Sequence, residues 1–513
     1  MKIIMSAERE HREEQDKEEV GCVVRKRIMN LKMKTALKIF LSSAAGPLIL
    51  YGVFLMYERY QVHMTLSVVK VDENHRPRFW VYTRHNNTGY LKHVRTVLSR
   101  LGYRESGNES DWDLLWAHDY PFRTLSASLH RLQQHQRVNH FPGCGYVTNK
   151  VDLSVSAGRY IPAAFRMPDD RERFLRYMDV NPGKKFVQKS NDHRGIRLVN
   201  SHDLTDADLT DGIFVQEFIE RPYLVDGYKF DVGLYIVVTS VDPLRLYIYK
   251  GDVLFRFCPV AYYPFDAEVL DKYVVGDDYL PIWKVPSLKK YYTELGYSMK
   301  DSFDAYVREQ GKDPAEMWER AYEAIREVFL MKEAQIREVS RRIGNGRNFF
   351  ELMRFDLVLD EDLNVYTMEA NMSPNLSSAH YPPNQLLYEQ VIFNTLALVG
   401  VSKRIRRGSL RTRSKAEKDM EVADKNIVVL PELCRECEDC FRVECQLCRQ
   451  CFTPEMQLIL SQSYLEHQNR MDFQRIFPPS IRKDMILKNY TLRNQLLVRW
   501  YQGKCELDKT WCI

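Results

Sequence analysis

The residues best placed to do chemistry are carboxylates and an amide that stand among apolar residues between positions 351 and 374. This alternation predicts two short strands joined by the polar turn 360–364. If the strands pair as a hairpin, Asp356 lies beside Glu369 and Asn371, and the latter two share one face because they are two residues apart. Two carboxylates and an amide oxygen are hard ligands that suit Mg²⁺. Acidic hairpins without a metal are also common, so this stretch alone leaves both explanations open.

A second group of candidate residues is basic. Residues 185–189 read as a strand that ends in Lys189, and the compact polar loop after it contains Arg194 and Gly195. A lysine beside such a loop can contact phosphate oxygens while the loop amides donate hydrogen bonds. An ordinary hairpin explains the same pattern, and Lys150 in isolation reads as a surface lysine.

Two further strands carry candidate ligands. Residues 213–219 are mostly apolar around Gln216 and Glu217. This composition is typical of an adenine pocket and also of an ordinary core strand. Lys229 and Asp231 then stand two apart, on one face, at the start of a long β-branched strand. Burying such a pair without partners is costly, so the pattern favours the mouth of a functional site.

The elements that must position these residues follow an α/β order. A strand at 78–82, a helix at 90–101 and a strand at 112–116 form a βαβ-like opening. Residues 300–342 are largely helical with an apolar stripe, and a helix at 386–399 follows the hairpin. The predicted fold class is therefore α/β, or α+β, with a small α/β domain ahead of the strands that carry the candidate site.

Composition limits the classes of function. The 513 residues include 45% hydrophobic and 12% aromatic residues, which predicts a mostly globular chain of two to four domains. The net charge of +5 is modest and the sequence has no nucleic-acid-binding motif, so no nucleic-acid partner is expected.

Residues 37–57 are interpreted as a transmembrane signal anchor behind a charged tail. Positions 39–57 carry no charge over nineteen residues, which nearly spans a bilayer as a helix. Six basic residues precede the segment and favour a cytosolic N-terminus with a luminal or extracellular remainder. The expectation is a single-pass membrane protein whose topology stays open. A buried hairpin or core helix is the alternative for this segment.

The C-terminal part has two further features. Residues 403–415 contain seven basic residues and no acidic one, as in a solvated linker or a contact with an acidic polymer or anionic lipid. Six cysteines follow at short spacings from Cys434 to Cys451. This spacing favours zinc in a reducing compartment and disulfides in an oxidising one, where Cys505 and Cys512 could take part.

In their order and spacing, these stretches resemble the tubulin tyrosine ligase-like family, whose catalytic core is an ATP-grasp fold. The resemblance spans residues 78–400 and is carried by Trp112-Asp-Leu-Leu-Trp116, His140-Phe-Pro-Gly143, Val187-Gln-Lys189, Arg194-Gly-Ile196, Gln216-Glu-Phe-Ile219, Lys229-Phe-Asp231, Phe350-Glu-Leu-Met-Arg-Phe-Asp356 and Met368-Glu-Ala-Asn-Met-Ser-Pro374. The expected division is a tail at 1–36, the membrane segment at 37–57, an α/β domain at 78–180, an ATP-grasp domain at 181–400 with a helical insert at 257–345, a basic linker at 401–433 and a Cys-rich extension at 434–513.

The resemblance implies ATP and Mg²⁺ as cofactors. ATP would be surrounded by Lys150, Lys189, Arg194, Gly195, Gln216, Glu217, Phe218, Ile219, Lys229 and Asp231. Mg²⁺ would be held by Asp356, Glu369 and Asn371. Lys189, Lys229 and Glu369 would be the catalytic residues. In the implied reaction an acceptor carboxylate attacks the γ-phosphate to give an acyl phosphate, and an amino group then attacks the acyl phosphate.

The implied activity joins free glutamate to glutamate side chains of tubulin, on microtubules, or of another acidic protein tail. One departure bears on it, because active relatives usually have an arginine two residues after the aspartate of Lys-Phe-Asp. That arginine clamps the carboxylate of the incoming amino acid, and this chain has Gly233 there. Arg256 is the candidate substitute. The alternatives are a membrane-anchored ATP-binding pseudoenzyme and a luminal modifier of a protein other than tubulin.

Overall fold

The structure is a computed structural model that describes residues 52, 54–61, 76–84, 88–108, 111–190, 196–199, 213–344, 346–402, 420–480 and 487–512. It divides into two units, residues 1–76 and residues 77–513.

The first unit overturns the prediction of a transmembrane helix at residues 37–57. No helix in the described part of the chain is long and apolar enough to cross a membrane. Within the predicted segment the structure describes Gly52 and residues 54–57, whose helix runs on through Glu58 and Arg59 to residue 61. Charged side chains are costly inside the hydrocarbon layer. The transmembrane part of the predicted fold class, the single-pass membrane localisation and the membrane as a partner are corrected accordingly.

The second unit begins with a small parallel sheet, as the βαβ-like pattern predicted. Its strands are β1 (Arg78–Tyr82), β2 (Arg104–Ser106), β3 (Leu114–Ala117) and β4 (Arg137–Val138), in the order β2-β1-β3-β4. Helix α1 (Lys92–Arg100) buries Val94, Val97 and Leu98 in the same core as the sheet, because their spacing puts them on one face.

A second, antiparallel sheet carries part of the candidate site. Its strands are β5 (Ala164–Arg166), β6 (Phe186–Ser190), β7 (Arg197–Val199) and β8 (Ile213–Glu217), in the order β5-β8-β6-β7. Helix α2 (Arg171–Val180) packs Phe174 and Met178 into one apolar cluster with Phe165 and Phe186. The cluster fixes β6 and β8 side by side, and these are the strands that bear Lys189 and Gln216.

Strand β9 (Phe230–Val241) is the centre of the largest sheet. Strands β10 (Leu244–Tyr249) and β11 (Leu254–Phe257) pair along one edge of β9, and β13 (Glu351–Leu359) pairs along the other. The sheet is extended by β12 (Leu280–Pro281) beside β11, β14 (Val365–Asn371) beside β13 and β15 (Phe473–Phe477) beside β10. All of β9 except Ser240 is buried, which explains its nearly continuous apolar sequence.

The predicted helix at residues 300–342 is two helices, α3 (Met299–Glu309) and α4 (Pro314–Ile343). The break lies at Gly311, whose φ of 76° suits glycine, and α4 restarts where Asp313 caps its first turn ahead of Pro314. Phe329 of α4 lies 6.0 Å, between ring centroids, from Phe355 of β13. The apolar stripe of α4 therefore supports the sheet that carries the hairpin.

The remaining α-helices are α5 (Gln385–Leu398), α6 (Pro454–Asn469) and α7 (Leu492–Leu507), with shorter ones at Ser126–Leu129, Gly145–Thr148, Lys150–Ser154, Pro286–Lys289, Asp424–Ile427 and Pro431–Arg435. Helices α6 and α7 share an apolar cluster around Trp500, whose indole donates a hydrogen bond of 2.7 Å to the carbonyl of Ile427.

The clustered cysteines are joined as disulfides. The bonds are Cys434–Cys448, Cys437–Cys445, Cys440–Cys451 and Cys505–Cys512. A sulfur bound in a disulfide is not a thiolate and does not ligate zinc. Of the two chemistries left open by the spacing, the structure has disulfides, and the zinc alternative is set aside.

Candidate nucleotide and metal site

The β13–β14 hairpin brings the three candidate metal ligands together. Its antiparallel register pairs Asp356 with Glu369. The side-chain amide of Asn371 donates a hydrogen bond of 3.1 Å to Oδ2 of Asp356. Asp360 closes the turn, because its Oδ1 accepts from the backbone N–H of Asn364 at 2.9 Å. The hairpin expected from the sequence is present, and its register sets the positions of the three candidate ligands.

Two arginines keep Asp356 ionised. Nε and Nη2 of Arg354 donate to Oδ1 and Oδ2 of Asp356 at 2.6 and 2.9 Å, and Nη2 of Arg256 donates to Oδ2 at 2.9 Å. Burial disfavours the charged carboxylate, but the two guanidinium groups outweigh burial and lower the pKa of Asp356. An ionised carboxylate is the form that binds a metal ion.

Asp231 is held by an arginine and not by the lysine two residues before it. Nε and Nη2 of Arg256 donate to the two oxygens of Asp231 at 2.9 and 2.7 Å, because β9 and β11 pair these residues. Burial raises the pKa of Asp231, and Arg256 opposes the shift. Asp231, Arg256, Asp356 and Arg354 are thus linked in this order by hydrogen bonds. They form a charge chain in which carboxylates and guanidinium groups alternate.

Lys189 and Gln216 form the part of the site on the smaller sheet. Nζ of Lys189 donates to Oε1 of Gln216 at 2.8 Å. Burial, together with the nearby charges of Lys229 and Lys150, lowers the pKa of Lys189 to about 8. Nε2 of Gln216 is buried and has no hydrogen-bond partner among the described residues. A buried donor without a partner is costly, so this atom is suited to a ligand acceptor.

Lys229 is buried at the start of β9. Its Nζ donates to the backbone carbonyl of Tyr273 at 2.9 Å and lies 5.1 Å from the ring centroid of Phe218. Burial lowers its pKa to about 8. Phe218 packs edge-on against Tyr273, with ring centroids 5.7 Å apart. The lysine is thus a partly desolvated cation beside an aromatic wall.

Lys150 completes a group of three lysines near the hairpin. It begins a short helix capped by Asn149, and its Nζ lies 3.3 Å from Oε1 of Glu369. The charges of Lys229, Lys150 and Glu369 all affect the pKa of Lys189, so the four side chains lie in one region. Lys150 therefore pairs with a carboxylate of the hairpin, and Lys189 lies close enough to Lys150, Lys229 and Glu369 for their charges to interact.

Four predicted ligands are not among these residues. Arg194 and Gly195 lie outside the described residues. The carboxylate of Glu217 accepts a hydrogen bond of 2.7 Å from Tyr177 and lies 2.8 Å from Nζ of Lys184, so its charge is matched within the small sheet and its helix. Ile219 is half-buried beyond the end of β8.

The sequence analysis missed Arg354 and the backbone carbonyl of Tyr273. A signal for Arg354 was available, because a cation in the middle of an apolar strand must find a buried partner. Tyr273 carried no such signal, since its carbonyl reaches Lys229 only through the fold of residues 258–273.

The residues present fit the groups that the resemblance implies. Asp356, Glu369 and Asn371 offer the hard oxygen donors that Mg²⁺ prefers. Lys189 and Lys229 are cations whose lowered pKa values reflect burial, and a polyanion would compensate them. The unpartnered Nε2 of Gln216 leaves a donor available to a base edge.

A second cluster of potential metal ligands has a structural role. His140, Cys144 and Glu351 are buried with ligand atoms within 4.8 Å of one another. Nδ1 of His140 lies 2.6 Å from Oε1 of Glu351, and its Nε2 lies 2.9 Å from the carbonyl of Ala117. Both ring nitrogens are occupied, so the cluster ties β3 to β13.

The fold and the site together are consistent with the ATP-grasp class, in which antiparallel sheets bring lysines to a nucleotide beside a metal-binding hairpin. A model described as the tubulin-tyrosine ligase family matches residues 128–406. The probable tubulin polyglutamylase ttll-15 of Caenorhabditis elegans is 40% identical over 446 residues, which are 83% of this chain and 84% of that protein. The chain belongs to the tubulin-tyrosine ligase family, as its motifs predicted.

More distant relatives match a smaller part of their own length. The tubulin monoglutamylase TTLL4 of Homo sapiens is 26% identical over 325 residues, 60% of this chain and 26% of that protein. The tubulin polyglutamylase TTLL7 of Homo sapiens is 25% identical over 424 residues, 75% of this chain and 46% of that protein. The chain therefore spans less than half the length of these two relatives.

Proposed function

We propose that this chain is an ATP- and Mg²⁺-dependent ligase that adds glutamate to glutamate side chains of tubulin or of another acidic protein tail. The observation that carries the proposal is the grouping of Lys150, the half-buried Lys189 and the buried Lys229 beside Glu369 of the β13–β14 hairpin. The names of the relatives, which are tubulin monoglutamylases and polyglutamylases, support the substrate class.

The nucleotide would lie between the small sheet and the start of β9. Lys189 and Lys229 would bind phosphate oxygens, and Nε2 of Gln216 would donate to the base. Phe218 offers an apolar wall on which the base could pack. Asp356, Glu369 and Asn371 would hold the magnesium ion that offsets phosphate charge.

The chemistry expected of this class is ATP-driven activation of an acceptor carboxylate, followed by attack of an amino group and formation of an amide. The side chains here act by position and charge. Lys189 and Lys229 stabilise the negative charge that moves during phosphoryl transfer, because they sit in a region largely shielded from water. No covalent enzyme nucleophile is required, because the acceptor carboxylate itself attacks the γ-phosphate and releases ADP. The amino group then attacks the acyl phosphate and releases inorganic phosphate, so the chain needs only to position the reactants.

The acceptor side has one further candidate element. The basic run 403–415 lies outside the described residues, and its seven cations suit a contact with an acidic tail. Such contacts weaken as salt screens them. Acceptor binding that depends on this run should therefore be sensitive to ionic strength.

The test is transfer of labelled glutamate by the full chain to microtubules in the presence of ATP and Mg²⁺. Asp356→Ala and Glu369→Ala should abolish transfer, because each removes a metal ligand and Asp356→Ala also breaks the charge chain. Glu361→Ala is the matched control, since this turn carboxylate pairs with the exposed Arg221 and lies outside the charge chain. It should transfer label at the wild-type rate.

Two outcomes would reject the ligase proposal. No transfer by the wild-type chain, with ATP binding retained, would favour an ATP-binding pseudoenzyme, for which Gly233 is the supporting observation. Equal transfer by wild type and by both alanine variants would place the chemistry elsewhere in the chain.

A further inference from the structure

The place of the missing arginine is filled from the neighbouring strand. Gly233 lies on β9 directly across from Asp356 on β13. A Cβ atom added at Gly233 would lie 2.9 Å from Cδ and 3.3 Å from Nε of Arg354, and 3.4 Å from Oδ1 of Asp356. The first distance is too short for carbon atoms in contact. The Arg354 side chain therefore occupies the volume into which any side chain at position 233 would begin to grow.

The requirement for glycine at this position is steric. Gly233 is in the interior of β9 and has none of the positive φ values that favour glycine elsewhere in the described chain, such as the 80° of Gly227. A glycine inside a strand often marks the close approach of another group. Here that group is the stem of Arg354. Gly233 and Arg354 thus form a matched pair across two strands.

Arg354 is also the end of the charge chain. Arg256 is held by three hydrogen bonds to two carboxylates, Asp231 and Asp356. Arg354 binds one carboxylate, Asp356, through Nε and Nη2, and its guanidinium also interacts with the Tyr235 hydroxyl. A guanidinium has five N–H groups, so Arg354 retains donors for a second carboxylate. Arg256, the substitute that the sequence favoured, already binds two carboxylates, whereas Arg354 binds one.

We propose that Arg354 supplies the guanidinium that binds the α-carboxylate of the incoming amino acid, in place of an arginine at position 233. The inference rests on the proposed ligase function and names a substrate-binding residue within it. A paired guanidinium–carboxylate contact orients the amino acid so that its amino group faces the activated acceptor. The cation would then come from β13 instead of β9, with its stem in the volume beside Gly233.

The test exchanges the two residues. Arg354→Lys keeps the charge but loses the two-pronged contact, so the KM for glutamate should rise about tenfold or more while the KM for ATP changes little. Gly233→Arg alone should lose glutamate binding, because two arginines compete for one volume. The double variant Gly233→Arg/Arg354→Gly should regain transfer. Arg342→Lys, an exposed pair with Glu338 on α4, is the control expected to match wild type.

Direct binding of labelled glutamate, measured with Mg²⁺ and a non-hydrolysable ATP analogue, separates this inference from the proposed function. A wild-type chain that binds glutamate but transfers none, with binding lost in Arg354→Lys, would reject the ligase function and support the role of Arg354. A chain that binds the nucleotide and no amino acid would overturn that role.

The remaining outcomes also decide the matter. Unchanged glutamate binding in Arg354→Lys, or a loss of binding in Arg256→Lys alone, would overturn the assignment. If Arg354→Lys fails to fold, the double variant decides. A double variant that binds glutamate supports the exchange, and one that is folded without binding, or is unfolded, contradicts it.

Discussion

Raising the pH should weaken ATP binding, because the two lysines proposed to hold the phosphates lose their protons early. Lys189 and Lys229 have pKa values of about 8, which burial sets well below the ordinary lysine value. A bound polyanion favours the charged ammonium groups and raises their pKa values in the complex. Affinity is therefore fully present below pH 8 and falls as the pH rises from 8 toward the pKa values of the complex.

The size of the effect follows from the two pKa values. At pH 9 about a tenth of the molecules retain the proton on a group whose pKa is about 8, so one lysine weakens binding about tenfold relative to pH 7. Two lysines together weaken it about a hundredfold, and the complex takes up protons as it forms. The two groups influence each other, so the measured curve reports the pair.

Calorimetric titration with Mg²⁺-ATP at pH 7, 8 and 9 measures the affinity, and buffers of different ionisation enthalpy measure the proton uptake. Lys229→Arg is the matched control, because an arginine stays protonated over this range. Its affinity should fall only about tenfold between pH 7 and 9, through the remaining Lys189. A wild-type affinity that is constant from pH 7 to 9, without proton uptake, would refute the role given to the two lysines.

Three further predictions concern stability. Glu351→Ala leaves His140 and the backbone N–H of Phe141 without their buried carboxylate, and should lower the free energy of unfolding by about 3–5 kcal/mol in urea denaturation; an unchanged value would show that the cluster does not join β3 to β13. Trp500→Ala removes a fully buried indole from the C-terminal cluster and should lower the free energy of unfolding by about 3–5 kcal/mol, while Phe441→Ala, at an exposed position, should change it very little. Reduction of the four disulfides should destabilise residues 420–512 by about 2–4 kcal/mol for each bond, seen as faster hydrogen exchange confined to that region; equal exchange before and after reduction would contradict it.

Much of the largest sheet could be predicted from the sequence, because the patterns that indicate it are local. The run 230–241 is nearly continuously apolar, so the strand was predicted and only its exact ends were not. The acidic turn 360–364 marked the hairpin. Patterns of this kind depend on side chains a few residues apart, which a sequence displays directly.

The features that the sequence did not reveal depend on register between distant strands. Arg354 meets Gly233 because β13 lies beside β9 in one alignment, and a shift of one residue would turn its side chain to the other face. Asp231 was paired with Lys229 by proximity in sequence, whereas β11 brings Arg256 to it. The apolar run at 39–57 had the composition of a membrane helix, and composition alone does not fix the length of a helix.

The pairing of β15 with β10 has a consequence for how the chain can be divided. Every residue of β10 is buried, and β15 from the disulfide-bonded part of the chain covers its outer edge. A chain ended at residue 402 would leave a row of unpaired amides and carbonyls along an apolar strand, which is a template for strand addition by another molecule. Such a fragment should self-associate even with its nucleotide residues intact. Strand β15 therefore protects the largest sheet, which carries part of the proposed nucleotide site, from pairing with another molecule.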